Sequence, residues 1–196
     1  MSFQWTITPL IFAPGIVDRS MTILYRDPGI KQEGPVLVWL LKCNNMKTIV
    51  DTGPASPFAA MDEIFNQTPE QTIESQLYHN DTSLDEITMI INTHLHTDHC
   101  SGNAYFKNAS FLVQRNEMEY AKNPLNVHLP AYTIALNGIN FQLLDGDEEI
   151  APGLQVIHTP GHSPGSQAVV IHTAQGIYII VNEMDKKKPN MLKTKD

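Results

Sequence analysis

Cysteine is scarce in this 196-residue chain: Cys43 and Cys100 are its two thiols. They are too few and too far apart for a disulfide framework, and reduced thiols in a cytoplasmic protein are the expectation. No apolar run reaches the length of a membrane span, and no basic start leads into an apolar stretch, so neither membrane insertion nor export by a signal peptide is expected. Basic charge is also thin, with 13 Lys and Arg against 21 Asp and Glu and a net charge of −8. Five of the lysines lie in the last twelve residues, DKKKPNMLKTKD, which leaves the remainder at −11. An acidic body argues against binding a phosphate backbone, so no nucleic-acid partner is expected. The expected division is one domain over residues 1–184 and a solvated, lysine-rich tail over 185–196.

The chain contains mixed strand and helix signals. Trp5 to Phe12 reads as a strand, and Val36 to Lys42 as a second that turns through Cys43-Asn44-Asn45 into Lys47 to Val50. Thr68-Pro69-Glu70-Gln71 predicts a helix start, with Thr68 as cap and Gln71 completing a capping box, followed by Ile73 and Leu77 on one face. Ile87 to Ile91 is a short apolar strand running straight into Asn92-Thr93-His94. Ser101-Gly102-Asn103 opens a short helix, Phe111 to Gln114 is a strand, and Arg115 to Ala121 is helical. The second half reads as strands at Phe141 to Leu144, Leu154 to Thr159, Gln167 to Thr173 and Ile177 to Val181, separated by Gly, Pro or acidic turns. Strand ends feeding polar loops are where α/β folds place active sites.

Three segments carry chemistry. Asp51-Thr52-Gly53 follows a β-branched run, as the catalytic turn of an aspartic protease does. That enzyme needs a second such turn, from a repeat or a partner, and nothing in the chain repeats it. The second segment, Thr93 to Cys100 (THLHTDHC), places His94, His96, Asp98 and His99 within six positions directly after a strand. In an extended exit His94 and His96 project to one side, while Asp98 and His99 follow where the chain turns. Exposed or core histidines are the plain alternative, but three of the chain's eight histidines in six residues favour a metal site. Imidazole nitrogens with a carboxylate suit zinc, and also iron or manganese. A closed structural zinc site would be richer in cysteine, so a catalytic one is the better reading. The third segment, His158-Thr159-Pro160-Gly161-His162-Ser163-Pro164-Gly165-Ser166, presents His162 on a loop stiffened by two Pro and two Gly. His158 reads as structural, and His79, His128 and His172 lie in no motif.

The order Asp51-Thr52-Gly53, His94-x-His96-x-Asp98-His99, then Thr159-Pro160-Gly161-His162-Ser163-Pro164-Gly165 resembles the metallo-β-lactamase superfamily over roughly residues 36 to 183. Phe111-Leu112-Val113-Gln114-Arg115-Asn116-Glu117 and the Pro-Gly-His loop resemble its N-acyl homoserine lactonase branch. The resemblance implies an αβ/βα four-layer sandwich with the site between the edges of two sheets. It also implies that His94, His96 and His162 hold one zinc, that Asp98 and His99 hold a second, and that Glu183 takes the place of the bridging carboxylate. Paired ions about 3.5–4 Å apart would activate a water against the carbonyl of a lactone or other ester, with Asp98 orienting that water and moving the proton. Asp51 is expected beside a ligating histidine, accepting its free ring N–H.

No histidine follows His172, whereas members of the family continue further and supply a closing histidine. The resemblance therefore implies a C-terminally truncated member with an incomplete second half, weakened activity, and a homodimer or partner covering the exposed sheet face. Two other readings stand beside the lactonase one. A thioester hydrolase resembling glyoxalase II shares the histidine motif, and a truncated paralogue could bind metal or a partner without turning anything over.

Overall fold

The computed structural model describes residues 4–22, 27–54, 67–125, 132, 138–181 and 191–194. Its first sheet has six strands in sequence order: β1 (Thr6–Asp18), β2 (Lys31–Cys43), β3 (Met46–Val50), β4 (Met89–Ile91), β5 (Ser110–Gln114) and β6 (Phe141–Leu144). The pairs β1–β2 and β2–β3 are antiparallel, and β3 through β6 run parallel. The second sheet is antiparallel throughout and is built from β7 (Glu148–Ala151), β8 (Leu154–His158), β9 (Gln167–Thr173), β10 (Gly176–Ile180) and β11 (Met191–Thr194).

The unbroken apolar stretch of β2 is explained by burial on both faces. Trp39, Leu41 and Cys43 point between the sheets, where they meet Val50, Ile91 and Leu112 and, from the second sheet, Leu154, Val156, Val169, Ile171 and Ile180. Val38 and Leu40 point the other way, into a cluster with Ile49, Ile90, Phe111, Ile73 and Leu77. Ile73 and Leu77 belong to α2 (Ile73–Tyr78), which covers that outer face. The described residues thus build helix, sheet and sheet of the expected layered sandwich, a mixed α and β fold. The sheets are also tied at one end by Trp5, whose indole donates to Pro152 O at 3.0 Å and whose backbone N–H donates to His172 O at 3.0 Å.

Four local expectations are revised. The first strand does not stop at Phe12 but continues past an irregularity between Ile11 and Pro14 to Asp18, and a short α1 (Arg19–Thr22) follows. Pro14 is tolerated because β1 is an edge strand, where one row of donors has no ladder to serve. Thr68 opens a 3-10 turn, Pro69–Gln71, rather than the helix itself. Gln71 reaches back to the Thr68 N–H at 2.9 Å, and α2 begins after Thr72, whose hydroxyl accepts from Ser75 N–H at 3.3 Å. β7 was not anticipated, and within the lysine-rich end Met191–Thr194 pairs with β10 instead of standing wholly as a solvated tail.

The parallel strands β3, β4 and β5 all end at the same edge of the first sheet. That is where an open parallel sheet offers its loops to a ligand. Asp51 follows β3, Asn92 to His94 follow β4, and α4 (Arg115–Lys122) follows β5.

Candidate metal centre

The histidine motif leaves β4 in extended form and then closes into α3 (Thr97–Cys100), with His96 at the position before the helix. A 3-10 turn, Ser101–Tyr105, follows it directly. His94 is fully buried, His96 is half-buried, and His162 comes in from the exposed tip of the loop after β8. His162 Nε2 lies 3.1 Å from His94 Nε2 and 3.0 Å from His96 Nδ1. One nitrogen from each of the three rings falls within 4.8 Å of the others.

This donor set fits a metal ion. Nitrogens bound at 2.0–2.1 Å to a tetrahedral zinc stand about 3.3 Å apart, close to the spacing observed. His94 also has the right charge state. Burial, and then the charges of His99, His96 and His162, pushes the His94 pKa well below its ordinary value, which keeps it as the neutral imidazole that a metal requires. Cys100 is not a competing ligand. Burial, with Asp51, Asp98 and Glu117 nearby, holds its thiol protonated, and its Sγ donates to Leu95 O at 3.4 Å.

Asp98 and His99 form a second pair beside the three histidines. His99 Nε2 lies 3.4 Å from Asp98 Oδ2, and His99 Nδ1 lies 2.9 Å from Asp51 Oδ2. Burial works against a charge on His99, but the Asp98 and Asp51 carboxylates outweigh it and raise its pKa well above the ordinary value. For Asp98 burial acts in the opposite sense, and His99 and His96 more than offset it, holding the carboxyl well below the usual range. Asp51 itself is fixed by Thr93, whose N–H donates to Oδ1 at 2.8 Å and whose hydroxyl donates to Oδ2 at 2.7 Å. Gly53, at φ +70°, takes the left-handed conformation two residues further along the same loop.

Sequence reading missed the groups beneath the site. Glu117, on α4, is completely buried and accepts from Leu95 N–H at 3.0 Å, Tyr132 O–H at 3.1 Å, Ser163 O–H at 2.6 Å and Gly165 N–H at 3.0 Å. The Tyr132 ring stands edge-on to His96, with centroids 4.9 Å apart. A chain of amides runs alongside. Gln114 donates to Gln167 Oε1 at 2.9 Å, Gln167 to Asn92 O at 2.8 Å, and Asn92 and Asn103 bond to each other. Thr52 joins through its hydroxyl, 2.9 Å from Asn103 Oδ1. Glu117 was visible in sequence only as part of the lactonase-like segment, with no sign that it is buried.

The remaining predicted positions are quickly placed. Glu183 lies outside the described residues, so among the described residues the Asp98–His99 pair gains no third ligand. His158 is tied to the Pro-Gly-His loop, its Nε2 3.1 Å from Pro164 O. His172 is exposed, His79 closes α2, and His128 lies outside the described residues.

Comparison with known proteins agrees with this geometry. Residues 32–178 match the family model of the metallo-beta-lactamase superfamily. The chain is 33% identical over 186 residues to N-acyl homoserine lactonase AiiA of Bacillus thuringiensis subsp. kurstaki, an alignment covering 87% of this chain and 72% of that protein. A solved N-acyl homoserine lactone hydrolase, with the product N-hexanoyl-L-homoserine at its catalytic metal centre, superposes with a TM-score of 0.76 at 30% identity, covering 90% of this chain and 73% of that one. A quorum-quenching N-acyl homoserine lactone lactonase superposes at 0.75 with 32% identity, covering 90% and 71%. These relatives are hydrolases, the superfamily is metal-dependent, and among the described residues no helix is long and apolar enough to cross a membrane. A family match over most of the chain, carried by a fold that brings His94, His96 and His162 together, establishes that the chain belongs to the metallo-β-lactamase superfamily.

Proposed function

We propose that this chain is a zinc-dependent hydrolase of lactones, with an N-acyl homoserine lactone or a similar ester as substrate. The observation that carries the reading is the convergence of three ring nitrogens from two distant segments, at spacings that suit one tetrahedral ion. His94, His96 and His162 would hold that ion, and Asp98 with His99 would serve a second. The bound metal would supply a water of lowered pKa and polarise the substrate carbonyl.

The chain's own residues supply the rest. Asp98, kept ionised by its histidine neighbours, accepts a hydrogen bond from the attacking water and so orients it. It then carries the proton to the alkoxide released as the ring opens. His99 is held by Asp51 so that its Nε2 faces the site. The named activity of relatives at 33% identity supports a lactone as substrate.

The test is metal content and hydrolysis measured on one preparation, with and without added zinc. N-hexanoyl homoserine lactone and an acyl-glutathione thioester would be offered in parallel. One equivalent or more of tightly held metal is expected, with ring opening that a chelator abolishes and zinc restores. Less than about half an equivalent would overturn the three-histidine site. Faster thioester cleavage would assign the site to the glyoxalase II-like chemistry, and stoichiometric metal with neither activity to a binding role.

A further inference from the structure

Glu117 belongs to neither metal-binding segment, yet it is the group that both segments share. Its two oxygens divide the work. Oε1 receives the backbone N–H of Leu95, the residue between His94 and His96, together with the Tyr132 hydroxyl. Oε2 receives the hydroxyl of Ser163, the residue immediately after His162, and the backbone N–H of Gly165. One oxygen therefore holds the His94-x-His96 segment and the other holds the His162 loop.

The side chain is completely buried. Burying a polar side chain is offset only where its hydrogen-bonding sites are filled, and here four donors fill them. The loop approaches its support closely as well: a Cβ on Gly165 would lie 2.3 Å from the Glu117 backbone nitrogen. There is no slack through which the loop could drift while the bonds persist.

We infer that Glu117 is the positioning residue of the metal site, fixing the gap between His162 and the His94–His96 pair through the rigid separation of its own two oxygens. This rests on the proposed three-histidine metal site. It adds a specific cause for the spacing of the nitrogens, whose segments lie more than sixty residues apart in sequence and meet on this carboxylate, with Gln167 joining the chain on either side of them through Thr93 O and Asn92 O.

Glu117→Gln isolates the claim. The amide replaces one oxygen with a donor that must face either Leu95 N–H or Gly165 N–H. Hydroxyls can reverse their direction, but a backbone N–H cannot, so one of the two segments loses its backbone bond to this side chain in either orientation. Leu77→Ala, a change in the core beneath α2 and far from the histidines in the fold, serves as a control for lost stability alone.

Metal affinity is read by competition with a chromophoric chelator, and ligand geometry by the visible bands of the cobalt(II)-loaded protein. The expected result is an affinity at least about tenfold weaker in Glu117→Gln, within the range for groups that orient ligands, with altered cobalt bands. Leu77→Ala should lose thermal stability yet keep the parent's affinity and spectrum. Parent-like affinity and bands in Glu117→Gln would overturn the inference, as would equal changes in Leu77→Ala. Should Glu117→Gln fail to fold, Ser163→Ala decides: it removes one bond from Oε2 and should weaken metal binding several-fold, and unchanged affinity would overturn the inference. A parent protein that binds no metal would instead overturn the proposed function.

Discussion

Asp51 and His99 meet through a single side-chain contact, Oδ2 to Nδ1 at 2.9 Å, in which the carboxylate can only accept and so keeps a proton on Nδ1. Asp51 reaches this position in the left-handed backbone region, at φ 60°. That conformation is uncommon outside glycine, though asparagine and aspartate accept it more readily than other residues. The Asp-Thr-Gly that reads as a protease turn is therefore a support for the histidine cluster, with both carboxylate oxygens already bonded to Thr93 and His99.

Asp51→Asn should weaken metal binding at the Asp98–His99 position. The asparagine oxygen would stay on the Thr93 N–H, turning its amide N–H toward His99 Nδ1. The ring would then accept at Nδ1 and carry its proton on Nε2, the nitrogen that faces Asp98 and that a metal would need. A loss of about 10–100-fold in affinity at that position is expected, read by calorimetric titration of the metal-free variant. Unchanged affinity there would return Asp51 to a merely structural role.

The metal-free protein should lose stability as the pH rises from about 6.5, the ordinary histidine value. His99 binds its proton more tightly when folded, because Asp98 and Asp51 flank it. A raised folded pKa gives stability that is complete below the unfolded value and disappears as pH climbs through the folded one. Thermal melting of chelator-treated protein at pH 6.5 and pH 9 reads the effect, at about 2–4 °C per kcal/mol for a chain of this size. The slope should be shallower in Asp51→Asn, and equal slopes in the two proteins would remove His99 as its source.

How much of this was legible in sequence follows from how local each feature is. β2 could be read because Val38 to Leu41 are all apolar, as a strand buried on both faces must be. The histidine motif could be read because its ligands lie within six residues. β7 escaped notice because Glu148 and Glu149 face solvent and its partner β8 supplies the pattern that holds it. Glu117 was illegible for a stronger reason. An acidic residue in the first turn of a helix normally caps it from the surface, and its burial depends on donors from residues 95, 132, 163 and 165, which only the closed fold assembles.

Leu41→Ala should cost about 2–5 kcal/mol, the usual range for removing a fully buried leucine from a packed core. Leu41 has no exposed surface and sits between the two sheets, so the cavity has little freedom to collapse. Tyr78→Ala, at a side chain 77% exposed, should stay within about 0.5 kcal/mol of the parent. Urea unfolding of both variants provides the comparison, and similar midpoints would mean that the inter-sheet core does not carry the stability assigned to it.

Gly161 immediately precedes His162 and Gly165 follows it by three residues, and an alanine at each should have different consequences. At Gly161 a Cβ would meet nothing within 4 Å, whereas at Gly165 it would lie 2.3 Å from Glu117 N and 2.6 Å from its Cα. Backbone atoms of a packed helix cannot move aside as the end of a flexible side chain can, so in Gly165→Ala it is the loop that must lift. Lifting it breaks the Gly165 N–H and Ser163 O–H bonds to Glu117 and carries His162 away from His94 and His96. Gly165→Ala should therefore lose both thermal stability and metal affinity, while Gly161→Ala keeps the parent's values. Melting curves and chelator competition on the pair decide the matter. If the two variants bind metal equally well, the loop finds its place from its own two prolines, and contact with α4 is not what holds His162 at the site.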